Sequence, residues 1–328
     1  MRLSIKYILF SFSFLLFACT NQRNKESLKY DNGIWEHITI NSVPIPIELP
    51  QIYDINKMTR YGKHLLIQNL KKEPLFSLLD LQTMTEITSW GYFGNGPREF
   101  LNNSILVDSN DDYIRIYDNY EMQKYSLSGD SIIYIKSVTC DKEPNFLERI
   151  YAISDSLICG YKYGPREIGI HLMDFPTQTS FCSISTNEGY FDDKNTPEEF
   201  YFKVFNDKVI IGRKNYDQIE VYKIADDKKA FNELFIINYD NASAKNIDIR
   251  KPCYMIDINA DDNYFYMLNQ NTNESGKETY LDIYSWKGEA VKRIKLGGLY
   301  LQGVLFENKM YLKKYEDDDN IYLLELDL

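Results

Sequence analysis

The sequence has few of the residues that build disulfide frameworks or metal centres, with five cysteines and three histidines in 328 residues. It contains no G-x-S-x-G nucleophile elbow and no short-spaced His and Cys cluster, which argues against a serine hydrolase of that kind and against a structural zinc site. Positive charge is also scarce, since 37 Lys and Arg face 48 Asp and Glu and leave a formal charge of −11. Nucleic-acid binding needs a basic surface, so no nucleic-acid partner is expected. We predict no cofactor.

β-forming aromatic residues are abundant, with 27 Tyr and 18 Phe, and Ala-rich helical stretches are absent. One pattern recurs: an apolar strand, a two-residue polar turn and a second apolar strand. The six turns are Gly62-Lys63, Asp111-Asp112, Ser154-Asp155, Asn206-Asp207, Asp261-Asp262 and Glu307-Asn308. They follow one another every 43 to 55 residues, close to the length of a four-stranded propeller blade. Six repeats predict an all-β, six-bladed β-propeller.

The last repeat lacks a fourth strand, because the sequence given ends at Leu328. A spare strand, Ile34–Ile40, precedes the first repeat. We expect it to pair with Ile321–Leu326, because this pairing closes the ring and removes two open sheet edges.

The first 18 residues have the form of a signal peptide, with Arg2 and Lys6 ahead of an apolar run too short to span a bilayer. Leu16-Phe17-Ala18-Cys19 resembles the bacterial lipobox. This resemblance implies that Cys19 carries palmitate-type acyl chains and anchors the protein to a membrane. The alternative is a plain secretory signal with a chance cysteine. We expect residues 19–30 to form a flexible leash and residues 31–328 the propeller domain.

The segment Gly91–Phe100, GYFGNGPREF, resembles the G-x-x-G-x-G-P-x-E-F signature of TolB-like six-bladed β-propeller lipoproteins of Bacteroidetes. The resemblance implies the fold and the anchor but little chemistry, because most of that family has no assigned activity. Arg98 departs from the glycine that many members carry. Surface-exposed lipoproteins of this type often have acidic residues just after the cysteine, and Thr20–Ser27 has no such cluster. The implied location is the outer membrane, on the periplasmic side rather than the cell surface.

A second Gly-Pro-Arg-Glu occurs at Gly164–Glu167. Blade crossovers and second-to-third strand loops share one face of a propeller, so both copies should lie near the channel mouth. The predicted binding residues on this face are Arg98, Glu99, Arg166, Glu167, Asp192, Asp193 and Arg250. The alternative interpretation is a shared turn geometry without a ligand.

Two functions remain open. The first is a non-catalytic lipoprotein that binds or scaffolds a glycan, a peptide or an envelope protein. The second is a metal-assisted hydrolase or lyase with a carboxylate-lined channel, although the paired acidic residues coincide with turns that favour Asp anyway. The cysteines Cys140, Cys159, Cys182 and Cys253 are expected as buried thiols, since Cys159 and Cys182 fall on strands that are not neighbours.

Overall fold

The computed structural model describes residues 27–30, 39–49, 51, 53–96, 99–101, 104–109, 113–118, 120–141, 146–162, 169–185, 200–213, 218–239, 253–271, 278–317 and 319–328. These residues form β-strands and turns, with no helix among them. Three short strands come first: β1 (Ser27–Tyr30), β2 (Thr39–Ser42) and β3 (Ile45–Ile47).

The other described strands, together with β3, form five sheets in which we distinguish six four-stranded antiparallel units, called blades 1 to 6; blades 2 and 3 share one eight-stranded sheet. Blade 1 comprises β4 (Ile55–Tyr61), β5 (His64–Asn69), β6 (Phe76–Asp80) and β7 (Glu86–Trp90). Blade 2 comprises β8 (Ile105–Ser109), β9 (Ile114–Asp118), β10 (Glu121–Ser128) and β11 (Ser131–Thr139). Blade 3 comprises β12 (Phe146–Ala152), β13 (Leu157–Lys162), β14 (Gly169–Asp174) and β15 (Thr179–Ser185).

The last three blades repeat this order. Blade 4 comprises β16 (Phe200–Phe205), β17 (Lys208–Arg213), β18 (Gln218–Ile224) and β19 (Phe231–Tyr239). Blade 5 comprises β20 (Cys253–Ala260), β21 (Tyr264–Asn271), β22 (Glu278–Ser285) and β23 (Ala290–Leu296). Blade 6 comprises β24 (Tyr300–Phe306), β25 (Lys309–Lys314), β26 (Ile321–Glu325) and β3.

Within the described residues the hairpin turns form where the sequence predicts them, and the predicted turn Asp111-Asp112 lies outside those residues. Gly62, Asn206 and Glu307 have φ angles of 56°, 53° and 55°, the left-handed region that two-residue hairpin loops require. The second strand of each blade lies between two neighbouring blades, and β5 is buried at all six of its positions. Apolar residues on both faces of such a strand therefore pack into two interfaces.

A separate apolar cluster fills each junction between consecutive blades. Phe235 of blade 4 packs with Phe265 of blade 5, for example, and Ile67 of blade 1 packs with Tyr311 of blade 6. The remaining junctions have their own clusters. Because blade 6 packs on blade 1, the ring is closed, and the prediction of an all-β propeller is confirmed.

Polar side chains close to the channel also join neighbouring blades. Gln68 of blade 1 donates to the carbonyl of Ser104 ahead of blade 2 at 2.7 Å. The amide N–H of Met58 in blade 1 donates to Gln302 of blade 6 at 2.9 Å. Asn259 of blade 5 donates to the carbonyl of Gly303 in blade 6 at 3.1 Å. These bonds replace the backbone ladder that splayed inner strands mostly cannot form.

An N-terminal strand closes the ring, but it is not the predicted one. The segment Ile45–Ile47 pairs antiparallel with β26, so the predicted pairing of Ile34–Ile40 with Ile321–Leu326 is wrong. The described end of that segment belongs to β2, which runs parallel to β23 of blade 5. Pro46 makes the closing strand hard to recognise in the sequence. Proline has no N–H to donate to the hydrogen-bond ladder, so it is tolerated only in a strand at the edge of a sheet.

The N-terminal segment contacts two further blades. The strand β1 adds in parallel to the outer strand β19 of blade 4, as β2 does on blade 5. Ser27–Tyr30, which the sequence places in the leash, is therefore paired with the propeller. Strands β1, β2 and β3 thus cover three successive outer edges.

The described thiols of Cys140, Cys159 and Cys182 are free. Cys159 and Cys182 lie on β13 and β15, with β14 between them, as the sequence predicts. The side chain of Cys253 lies outside the described part of the chain.

Candidate functional site

The inner strands enclose a central channel with two connected cavities. One, of about 560 Å³, lies where the inner strands begin, on the side of the blade crossovers, and we call it the crossover cavity. The other, of about 330 Å³, lies beside the hairpin turns. Asp108, Tyr151, Asp257 and Gln302 line both, so they mark the middle of the channel.

Alternation along the inner strands places charged residues in this channel. Lys203 stands between Phe202 and Val204, which are both buried between blades. Successive side chains of a strand point to opposite faces, so the lysine faces the channel when its neighbours face the core. Asp257 precedes the buried Ile258 in the same way.

Asp108 is the electrostatic centre of the channel. Its Oδ1 lies 3.7 Å from Nζ of Lys57, and its Oδ2 lies 3.3 Å from Nζ of Lys203. The Asp108 side chain is 13% exposed. Burial alone would raise the pKa of this carboxyl, but the two ammonium groups outweigh burial and hold the pKa well below its usual range. Asp108 is therefore a fixed negative charge, already matched by two positive ones.

Asp257 has a different environment. Its Oδ2 accepts a hydrogen bond from the backbone N–H of Gly303 at 2.8 Å and one from Nδ2 of Asn259 at 3.3 Å. Burial raises the pKa of Asp257, although the N–H of Gly303 and the nearby charges of Lys203 and Arg149 oppose the rise. The carboxyl thus keeps a contact to the next blade and borders the crossover cavity.

Arg149 also lines the crossover cavity. Its guanidinium carbon lies 3.5 Å from the ring centroid of Tyr201, which holds the plane of the group against the aromatic face. Within the described residues, no carboxylate lies within ion-pair distance of Arg149. The guanidinium is thus oriented but not neutralised by a direct partner.

Of the predicted binding residues, only Glu99 belongs to the described part of the chain. Cys19, Arg98, Arg166, Glu167, Asp192, Asp193 and Arg250 lie outside it. Glu99 lies on the crossover between β7 and β8, where its Oε2 accepts the N–H of Gly96 at 2.7 Å. A Cβ on Gly94 would lie 1.9 Å from that same oxygen. The described part of the signature therefore builds a loop around the Glu99 carboxylate.

The glycines of this segment have two different roles. Gly91 has a φ of 86°, a conformation that favours glycine, whereas Gly94 and Gly96 do not have positive φ. Those two residues lack side chains because the Glu99 carboxylate occupies the space that a Cβ would fill. The observed contacts of Glu99 are those of a loop-forming residue.

The acidic pair Asp261-Asp262 also has a structural explanation. Oδ1 of Asp261 accepts the backbone N–H groups of Asn263 and Tyr264, both at 2.7 Å, and its Oδ2 accepts the hydroxyl of Tyr266. Asp261 thus shapes the hairpin turn. Nowhere in the described ranges do three His, Cys, Asp or Glu side chains gather as metal ligands would. The same ranges contain no helix that is long and apolar enough to cross a membrane.

Sequence analysis missed the channel residues, although a signal was present. Lys57, Lys203 and Asp257 are isolated charges inside predicted apolar first strands. A charge in such a strand must be paired or face solvent, and in a propeller the first strand borders the channel. The channel position of Arg149 was harder to predict, because this residue lies just before the predicted apolar strand that begins at Ile150.

No protein-family model matches the sequence, and no curated protein matches it. Solved structures do resemble the fold. A DUF4221 family member from Bacteroides vulgatus has a TM-score of 0.55 and 16% identity, over 86% of this chain and 95% of that one. A Bacteroides fragilis protein described as exported has a TM-score of 0.55 and 10% identity, over 88% of this chain and 99% of that one. At these identities the likeness shows a shared fold alone.

Proposed function

We propose that the protein is an envelope lipoprotein of the TolB-like propeller type, anchored through Cys19, whose propeller binds a polar partner without catalysis. The lipobox and the signature around Glu99 support the family and the anchor. The likeness to a Bacteroides protein described as exported is in keeping with an envelope location. Residues 1–18 would be the signal peptide, and the outer membrane, on its periplasmic side, is the proposed location.

The central channel is the observation that carries the binding proposal. It is wide enough for a small ligand and is lined by side chains of both charge signs. The walls come from strands of different blades, so the charges are held on a rigid frame. A channel that served only as packing would be filled by apolar side chains.

The contacts of the two channel carboxylates favour binding over catalysis. Hydrolysis by paired carboxylates needs both carboxyl groups free to act on the substrate. Asp108 is held charged by Lys57 and Lys203, and Asp257 is engaged with Gly303. The metal-assisted alternative would need further oxygen ligands, which the described channel does not bring together.

Larger partners would meet the propeller at the crossover face. The two Gly-Pro-Arg-Glu segments would belong to loops of this face, and Arg98 and Arg166 would then extend the channel site into a rim of mixed charge. A glycan chain or a peptide could reach both the rim and the channel, and an envelope protein could contact the rim.

Two experiments test this proposal. Cys19→Ala should move the protein from the membrane fraction to the soluble periplasmic fraction, and continued membrane association would contradict the anchor. The acylated wild type, solubilised from envelopes in mild detergent, should retain a partner in a pull-down that Arg98→Ala/Arg166→Ala weakens. A Lys287→Gln variant controls for loss of positive charge, because Lys287 lies on an exposed turn. Equal recovery by all three proteins would contradict binding at this face.

A further inference from the structure

The crossover cavity has an excess of positive charge in an acidic protein. Three cations, Lys57, Arg149 and Lys313, line it against two carboxylates, Asp108 and Asp257. The protein as a whole has a formal charge of −11. A positive cavity inside a negative surface selects for anions that are small enough to enter it.

The cations of this cavity differ in what they already contact. Lys57 faces Asp108 and donates to the carbonyl of Leu106 at 2.7 Å. Lys313 donates to the carbonyl of Ile55 in the neighbouring blade. Arg149 instead stacks on Tyr201 and has no carboxylate within ion-pair distance in the described ranges. The guanidinium is thus the cation best placed to take an external anion.

We propose that the crossover cavity binds a sugar acid, whose carboxylate is held by the guanidinium of Arg149 and whose hydroxyl groups reach Asp257 and the polar wall beside it. This inference rests on the binding function proposed above and names the ligand class.

Three features favour this class. A planar guanidinium matches a carboxylate through two parallel hydrogen bonds, and stacking on Tyr201 fixes that plane in advance. A phosphate dianion fits less well, because the neighbouring Asp257 would repel its second charge. An apolar carboxylate fits less well too, since Gln68, Ser104 and Asn56 also line the cavity.

The size of the cavity agrees with such a ligand. Its volume of about 560 Å³ falls within the usual range of roughly 300–1,000 Å³ for small-molecule sites. A monosaccharide or disaccharide would fit, while a folded protein segment would not. Asp257 already accepts the N–H of Gly303, and a carboxylate can accept further donors such as sugar hydroxyls.

Isothermal titration calorimetry on the full propeller tests the proposal, with D-glucuronate as the probe and D-glucose as its uncharged match. Wild type should bind glucuronate and should bind glucose at least tenfold more weakly. Arg149→Gln should weaken glucuronate binding by about 10- to 100-fold, the usual loss for a hydrogen-bonded charge. Arg149→Lys should fall in between, because it keeps the charge and loses the planar fork. Lys287→Gln should bind like wild type.

Other outcomes overturn the proposal. No glucuronate binding by wild type at about 10 mM, well above a millimolar Kd, would refute the site. Equal affinity for glucose, or unchanged affinity in Arg149→Gln, would refute the role of the carboxylate contact. Tighter binding of glucose 6-phosphate or of the dipeptide Ala-Ala would refute the ligand class. Circular dichroism shows whether Arg149→Gln folds. If it does not, the affinities of wild type for glucuronate and glucose, together with the glucuronate affinity of Arg149→Lys, still test the proposal.

The pull-down separates this inference from the proposed function. A partner that is lost by Arg98→Ala/Arg166→Ala, together with no glucuronate binding by wild type in calorimetry, would leave the binding function standing while the sugar-acid site fails. If wild type retains no partner in the pull-down but binds glucuronate in calorimetry, the sugar-acid site stands and the proposal of a larger partner fails.

Discussion

Replacing Asp108 by Asn should destabilise the propeller substantially, because Asp108 links three blades across the channel. It belongs to blade 2 and faces Lys57 of blade 1 and Lys203 of blade 4. Removing one partner of a fully buried ion pair costs roughly 3–5 kcal/mol. The two lysines are 23% and 22% exposed, so water recovers part of this cost.

We expect a loss of about 2–3 kcal/mol in the free energy of unfolding at pH 7. Burial already lowers the pKa of Lys57, and without Asp108 this lysine can lose its proton, which limits the cost. At about 2–4 °C per kcal/mol for a large domain, the melting temperature should fall by roughly 4–12 °C.

The pH dependence gives a second signature. The pKa of Asp108 in the folded protein is below its unfolded value of about 3.9. A depressed carboxyl pKa stabilises the fold above the unfolded pKa, and this contribution is lost as the pH falls through the folded pKa. The difference in stability between wild type and Asp108→Asn should therefore shrink as the pH falls below about 4.

Urea unfolding followed by tryptophan fluorescence measures both quantities. Asp262→Asn is the matched control, because Asp262 lies exposed on a hairpin turn and its replacement should cost less than about 0.5 kcal/mol. A loss in Asp108→Asn no larger than in the control would refute the argument. So would a stability difference that does not shrink below about pH 4.

Three further predictions follow from the loop, the ring closure and the core. Gly94→Ala should cost about 1 kcal/mol by displacing the Glu99 carboxylate, and Gly94→Ala/Glu99→Ala should cost no more than Glu99→Ala alone in urea unfolding; additive losses would contradict this. Deleting residues 20–47 should lower the melting temperature far more than deleting residues 20–42, which spares β3; equal effects would contradict closure by β3. Burial raises the pKa of Cys159, so this thiol should react with a disulfide reagent in urea but not in the folded protein, and fast native labelling would contradict its burial.

Local patterns specify the blades. Strand and turn residues recur every 43 to 55 residues, and turns such as Asn206-Asp207 need residues that tolerate positive φ. These signals act over a few residues, so the sequence predicts the all-β propeller and most of its hairpins without knowledge of long-range contacts. The presence of a closing N-terminal strand also follows from counting, because the last repeat is one strand short.

The identity of that strand needed the tertiary structure. The alternating segment Ile34–Ile40 fits a strand better than Ile45–Ile47, which contains Pro46, yet β26 pairs with the latter. Which segment pairs with a sheet edge depends on whether the chain is long enough to bring it there and on which edge is open. The residues of the segment itself do not show either property. The roles of Gly94 and Gly96 were hidden for a similar reason, because the carboxylate that fills their space comes from Glu99 through the folding of the loop.

The sequence by itself thus determined the composition of the repeats, the hairpins and the likeness of its N-terminus to a lipoprotein leader. Only the tertiary structure decided which charges meet. Lys57, Asp108, Arg149 and Lys203 are spread over almost 150 residues of sequence and come together because four inner strands converge on one axis. Electrostatic interaction depends on distance in space and on burial, and ring closure sets both.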